Sequence, residues 1–108
     1  RHPSTLHSIN SLGRLLKEKG DLAAAEPLSR EALEGRREKL GARHPDTLSS
    51  ISNLGLLLMA KGDLAAAEPL LREALEGRRE VLGARHPKTL AAIKNLGALG
   101  GNGRPRRR

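Results

Sequence analysis

Apolar positions recur along the chain at intervals of three and four. Leu48, Ile51, Leu54, Leu57 and Leu58 make one such stripe, and Leu64, Ala67, Leu70, Leu71, Ala74, Leu75 and Leu82 make the next. That spacing gathers each set on one face of a helix. Between the stripes stands Lys61-Gly62-Asp63. Gly62 can take the positive φ that ends a helix, and Asp63 can cap the free N–H groups that start another. Pro45 opens the first stripe at a position where its missing N–H does no harm, and Asp46 complements the helix dipole. Gly83 closes the second. The same grammar predicts helices over 3–19, 22–40, 45–61, 64–82 and 87–99.

Two residue types oppose these helices. Pro27 and Pro69 fall inside the second helix of each pair, where each removes one ladder hydrogen bond and implies a slight bend. Gly35 and Gly77 lie mid-helix and lose about 1 kcal/mol each against Ala. The i,i+4 pairs Glu68–Arg72 and Arg72–Glu76 return only about 0.2–0.5 kcal/mol apiece, and Glu76–Glu80 is repulsive. Packing has to hold these helices.

The pattern is also periodic on a longer scale. His-Pro recurs at His2, His44 and His86, and residues 2–43 and 44–85 align without a gap, identical at 33 of 42 positions. A third copy, 86–99, keeps the pattern through Leu99, where Gly100-Gly101-Asn102-Gly103 replaces it; residues 100–108 read as a disordered Gly/Arg tail. Where the first two copies differ markedly in polarity, the first is the polar one: Arg14, Lys17, Glu18, Ser29 and Lys39 stand against Leu56, Met59, Ala60, Leu71 and Val81. The first unit therefore reads as an outer one. The second expects neighbours on both sides, which predicts an exposed surface at Leu56 and Met59 suited to self-association.

Composition narrows the chemistry. The 108 residues include no Cys, Phe, Tyr or Trp, and carry a net charge of +8. A disulfide framework and Cys-ligated metal sites are excluded. Half the charge sits on Arg104, Arg106, Arg107 and Arg108, which could touch phosphate or an anionic membrane weakly. Without aromatic rings to stack on bases, nucleic-acid binding is disfavoured. No apolar run approaches the roughly 20 residues of a membrane span, which fits a cytoplasmic protein. The chain begins at Arg1 without an initiator Met, consistent with processing or with a piece of something longer.

An enzyme finds little to stand on. The repeated histidines lie one per unit, about 10 Å or more apart at normal helix packing distances, too far for a shared metal. They read as turn residues before an N-terminal proline. Glu31/Glu34 and Glu73/Glu76 lie among arginines in Arg-Glu-Ala-Leu-Glu-Gly-Arg-Arg-Glu, a solvated charged face. The Gly100 to Gly103 run lacks the strand and helix of a phosphate loop. No cofactor is implied.

Ile9-x-x-Leu12-Gly13-x-x-Leu16, followed by Ala25, Ser29 and Ala32, has the spacing of the tetratricopeptide signature, with Ile and Leu in place of its usual aromatics. The second unit repeats it with Ile51, Leu54, Gly55, Leu58, Ala67, Leu71 and Ala74. The 42-residue length and the run Leu-Gly-x-x-His-Pro-x-Thr-Leu at 40–48 and 82–90 most closely resemble the kinesin light chain type of this repeat. The resemblance implies an all-α, right-handed α-solenoid of antiparallel helix pairs: two full repeats and the first helix of a third. It also implies a non-catalytic scaffold whose first helices line a concave, peptide-binding face. Carried over by position, the peptide-binding residues are Asn10, Arg14, Lys17, Ser52, Asn53, Leu56, Lys94 and Asn95. Three cations among them favour an acidic or extended peptide. The alternative is a homotypic self-assembly module, or a designed repeat protein, with no specific peptide ligand.

Overall fold

The computed structural model describes residues 3–101 as five helices: α1 (Pro3–Glu18), α2 (Leu22–Leu40), α3 (Pro45–Ala60), α4 (Leu64–Leu82) and α5 (Pro87–Gly101). α1 and α3 stop one residue short of the expected ends, and α5 runs two residues past Leu99. The tail 102–108 lies outside the described residues.

Each reversal of direction within a unit is made by one dipeptide. Gly62, at φ 88°, donates its N–H to Met59 O at 3.0 Å, and Asp63 N donates to Leu58 O at 2.9 Å. This bond pair closes α3 through a left-handed residue. Asp63 Oδ1 then accepts from Ala66 N at 3.2 Å and starts α4. Gly20-Asp21 does the same between α1 and α2: Gly20 N donates to Lys17 O, Asp21 N to Leu16 O, and Ala24 N to Asp21 Oδ1. Between units, His44 Nδ1 accepts from Asp46 N and His86 Nδ1 from Lys88 N, both at 3.0 Å. The histidines before Pro45 and Pro87 are therefore the side chains that satisfy those helix starts, a specific form of the turn role their positions predict.

α1 packs on α2 and α3 on α4, while α2 against α3 and α4 against α5 join the units; α1 and α5 approach α3 less extensively. The result is an all-α solenoid with first helices in one layer and second helices in the other. α3 lies at the centre, with Leu48, Ile51, Leu54 and Leu57 sealed from solvent against Ala25, Ala67, Leu71 and Ala74. Burying each such leucine contributes about 1.5–3 kcal/mol, more than the glycines take away. The glycines are also required by this packing. A Cβ on Gly77 would stand 2.4 Å from Leu48 Cδ2, so the leucine is seated directly over the residue that weakens the helix. α2 and α4 each run without interruption through their internal proline.

Candidate functional site

A buried polar seam joins the two full units. Arg36, continuing the inner stripe of Ala25, Ser29 and Ala32 on α2, is 4% exposed. Its Nη1 donates to Asp46 O at 3.2 Å and to Ser50 Oγ at 3.0 Å. Ser50 Oγ donates on to Asn10 Oδ1 at 3.2 Å, and Asn53 Nδ2 donates to the same oxygen at 3.3 Å. Thr47 Oγ1 returns a bond to Arg36 O at 3.2 Å. Side chains from α1, α2 and α3 are thus locked in one chain of donors and acceptors, as burial of polar groups requires.

The next junction is poorer. Ala92 stands where Ser50 does, and Arg78, equally inward, reaches Ser49 Oγ at 3.4 Å. Burial pushes the Arg78 guanidinium below the ordinary arginine range. Thr89 Oγ1 is buried without a hydrogen-bond partner.

Beside the first seam, between α1 and α3, a pocket of about 180 Å³ opens to solvent. Arg14, Lys17 and Glu18 line it from α1, and Asn53 and Leu56 from α3. Asn53 spans both features, its Nδ2 held by Asn10 while its residue faces the pocket. On the opposite layer, exposed ion pairs cross between the second helices and turns: Arg37 to Glu73 and Arg43 to Glu80, both 3.0 Å, and Lys61 to Glu26. The hydrogen bonds from Lys61 first, and then from Arg30, hold the Glu26 carboxyl below the usual carboxylate range.

The tetratricopeptide repeat family profile matches residues 5–46 and 47–88, two consecutive 42-residue units. The chain belongs to the tetratricopeptide repeat family. Among solved structures, this tetratricopeptide array resembles the nearly identical kinesin light chain TPR-like repeats of Podosopora anserina. The TM-score is 0.81 at 27% identity, over 92% of this chain and 47% of that one. A single-substitution form of the same Podosopora protein gives 0.80 at 28%. BtubC (BKLC) from P. vanneervenii shares the fold, with a TM-score of 0.84 at 21% identity over 92% of this chain and 39% of its own. The chain spans less than half the length of each. No curated protein matches the sequence.

Within the tetratricopeptide array, the eight nominated peptide-binding residues separate into three groups. Arg14, Lys17, Asn53 and Leu56 meet in the pocket. Lys94, exposed, and Asn95, half-buried, lie one unit along on α5. Asn10 and Ser52 are largely buried, 6% and 5% exposed. They sit on the side of each first helix turned toward its neighbours, and Asn10 spends its carbonyl oxygen on Ser50 and Asn53. Leu56 and Met59 are both half-buried and packed on the core, with Arg14, Lys17 and Glu18 bordering Leu56. Exposed large apolar side chains instead include Leu12, Leu15, Leu90 and Ile93.

Sequence reasoning missed Glu18 as a pocket residue and placed Arg36 and Arg78 on a solvated face. The signal for the arginines was present: steps of four, three and four from Ala25 through Ser29 and Ala32 lead to Arg36. Among the described residues no cluster of three or more His, Asp or Glu side chains is arranged to hold a metal ion.

Proposed function

We propose that this tetratricopeptide array is a non-catalytic protein–protein interaction scaffold that holds an acidic or extended peptide across α1 and α3, and that it works in the cytoplasm. The observation that supports this reading is the convergence of Arg14, Lys17, Asn53 and Leu56 on one open pocket. Arg14 and Lys17 supply donors for a carboxylate, and charge-assisted bonds of this kind are the strong ones. Asn53 has Nδ2 engaged by Asn10, which leaves its Oδ1 to accept a backbone N–H from the ligand. Leu56 offers an apolar floor. Glu18 on the same rim offsets one cation, so the pocket favours a single carboxylate over a run of them. Lys94 and Asn95 extend the track along α5.

An array of acidic and neutral extended peptides identifies a ligand, whose affinity is then measured for Arg14→Glu, Asn53→Ala and Lys94→Glu. Loss of a charged hydrogen bond, worth about 1.5–3 kcal/mol, weakens binding at least tenfold in Arg14→Glu. Unchanged affinity in all three variants removes the reading.

A second reading, self-association of the chain, is favoured by Leu12 and Leu15, which are exposed on α1 while their counterparts Leu54 and Leu57 are buried at the junction between units. Light scattering over a concentration range tests it, and a chain that stays monomeric at high concentration counts against it.

A further inference from the structure

Both second helices bury an arginine on their inner face, and the two arginines are unequally provided for. Arg36 donates to Asp46 O and Ser50 Oγ, and Thr47 Oγ1 donates back to Arg36 O. One unit on, the corresponding residues are Lys88, Ala92 and Thr89. None of the three bonds is made again. Ala92 has no side-chain oxygen, Thr89 Oγ1 is buried without a partner, and the guanidinium of Arg78 turns to Ser49 Oγ at 3.4 Å, its one acceptor among the described residues. Arg78 is nevertheless only 8% exposed. A guanidinium has five N–H donors, and burying a cation with so few acceptors is costly. Burial accordingly pushes Arg78 below the ordinary arginine range. The residue whose backbone holds Arg36 is an aspartate, whereas its counterpart Lys88 adds a positive charge.

We infer that the junction of α3, α4 and α5 at Arg78 is a carboxylate-binding site, where the bound group supplies the oxygens that Asp46 and Ser50 supply to Arg36. The donors set the ligand's chemistry. A carboxylate presents two oxygens in one plane, which matches the guanidinium fork. A phosphate is bulkier and tetrahedral, and brings a second charge to be desolvated beside a residue this deeply buried. Access is on the side of Ser49, which is half-buried and whose hydroxyl already stands at the guanidinium. Thr89 marks the same shortfall, since α5 does not close on Arg78 O as α3 closes on Arg36 O. The site lies at the other junction from the pocket between α1 and α3. It does not rest on the peptide reading, and either stands if the other fails.

Sodium acetate is the probe, added to the full chain at an ionic strength held constant with sodium fluoride. Binding is followed by the nitrogen–proton resonance of Arg78 Nε and by melting in far-ultraviolet circular dichroism. A saturable shift at Arg78 is expected, half-complete at millimolar acetate and absent from the exposed Arg79 and Arg85, with Tm raised as sites fill. Ala92→Ser restores the acceptor of the first junction, so it should melt higher without acetate and bind acetate about fivefold or more weakly. Arg78→Gln should lose the acetate-dependent rise in Tm; should that variant not fold, Ala92→Ser decides alone. Absence of saturation overturns the inference. So does a shift shared by Arg79 and Arg85, or an acetate affinity that Ala92→Ser leaves unchanged. N-acetylglutamic acid α-amide then replaces acetate. An equal response supports the site and assigns it to an acidic side chain of a bound polypeptide, and a response to acetate alone supports it as a site for a free small carboxylate.

Discussion

Glycine occupies the same place in the first helix of each unit, as Gly13, Gly55 and Gly97, and its replacement by alanine is expected to have opposite signs at the last two. In a helix interior the exchange favours folding by about 1 kcal/mol, through better propensity and a less flexible unfolded chain. At Gly97 nothing lies within 4 Å of the new methyl group, so that gain survives, reduced to about 0.5–1 kcal/mol by the nearby helix end. At Gly55 the methyl would stand 2.7 Å from Leu71 Cδ2, 3.0 Å from its Cγ and 3.4 Å from Leu70 Cβ. Carbon atoms prefer about 3.5–4.0 Å, so a fully buried leucine must retreat by close to an ångström. Overpacking of this kind costs about 1–3 kcal/mol, which leaves Gly55→Ala net destabilised by about 0–2 kcal/mol. At about 4–8 °C per kcal/mol, Gly97→Ala should raise Tm by a few degrees, and Gly55→Ala should lower it by up to about 15 °C. The chain has no Phe, Tyr or Trp, so fluorescence cannot follow unfolding; far-ultraviolet circular dichroism does, with concentration set by peptide-bond absorbance. A Gly55→Ala chain as stable as Gly97→Ala would refute the claim that α4 sits tightly on α3 at Gly55 while no described residue packs on α5 at Gly97.

Three further outcomes are expected. Asn10→Ala strands the Ser50 and Asn53 donors and should lower unfolding free energy by about 1–3 kcal/mol in urea titrations, with helix content of the folded state unchanged. Leu48→Ala should cost about 2–5 kcal/mol, whereas Leu90→Ala at the equivalent but open position should fall within about 0.5 kcal/mol of the unsubstituted chain. Because its ion-pair partners lower the Glu26 pKa, that carboxylate stabilises the fold above the ordinary value of 4.5, and its contribution fades as pH falls through the lowered one. Glu26→Gln should flatten that part of the acid limb of a stability-versus-pH curve, and an unaltered limb would contradict the pairing.

The helices were legible because short-range chemistry marks their ends. Gly20-Asp21, Gly62-Asp63 and the His-Pro steps are punctuation whose effect is complete within a few residues, and the boundaries from sequence fall within two residues of those observed. The site was only partly legible. Helical spacing says that Asn10, Ser52 and Arg14 lie near one another in projection, but which of them faces a neighbouring helix depends on how the units stack. That is set by residues some 40 positions away, as the bonds of Asn10 to Ser50 and Asn53 show. The half-burial of Leu56 and Met59 was not legible for the same reason: their polar counterparts in unit one suggested solvent, while the α3 pair is partly covered by its surroundings. Arg36 illustrates a different failure, in which a charged residue type outweighed a clear inward periodicity.

The polar seam also bears on the order of the units. Two segments identical at 33 of 42 positions invite exchange, one pairing where the other belongs, during folding or between chains. The seam requires Asn at position 10 on the leading unit and Asn at position 53 on the following one. The reverse arrangement would set Ser52 beside Ser8 and Ser11, whose short hydroxyls do not span the gap. The array is therefore addressed: exchanging its two units would leave the Asn10–Asn53 link unmade, although Arg78 would still face a serine hydroxyl at Ser8. Anyone extending such an array by copying a unit would need to copy the junction, residues 10 to 53, and not the repeat.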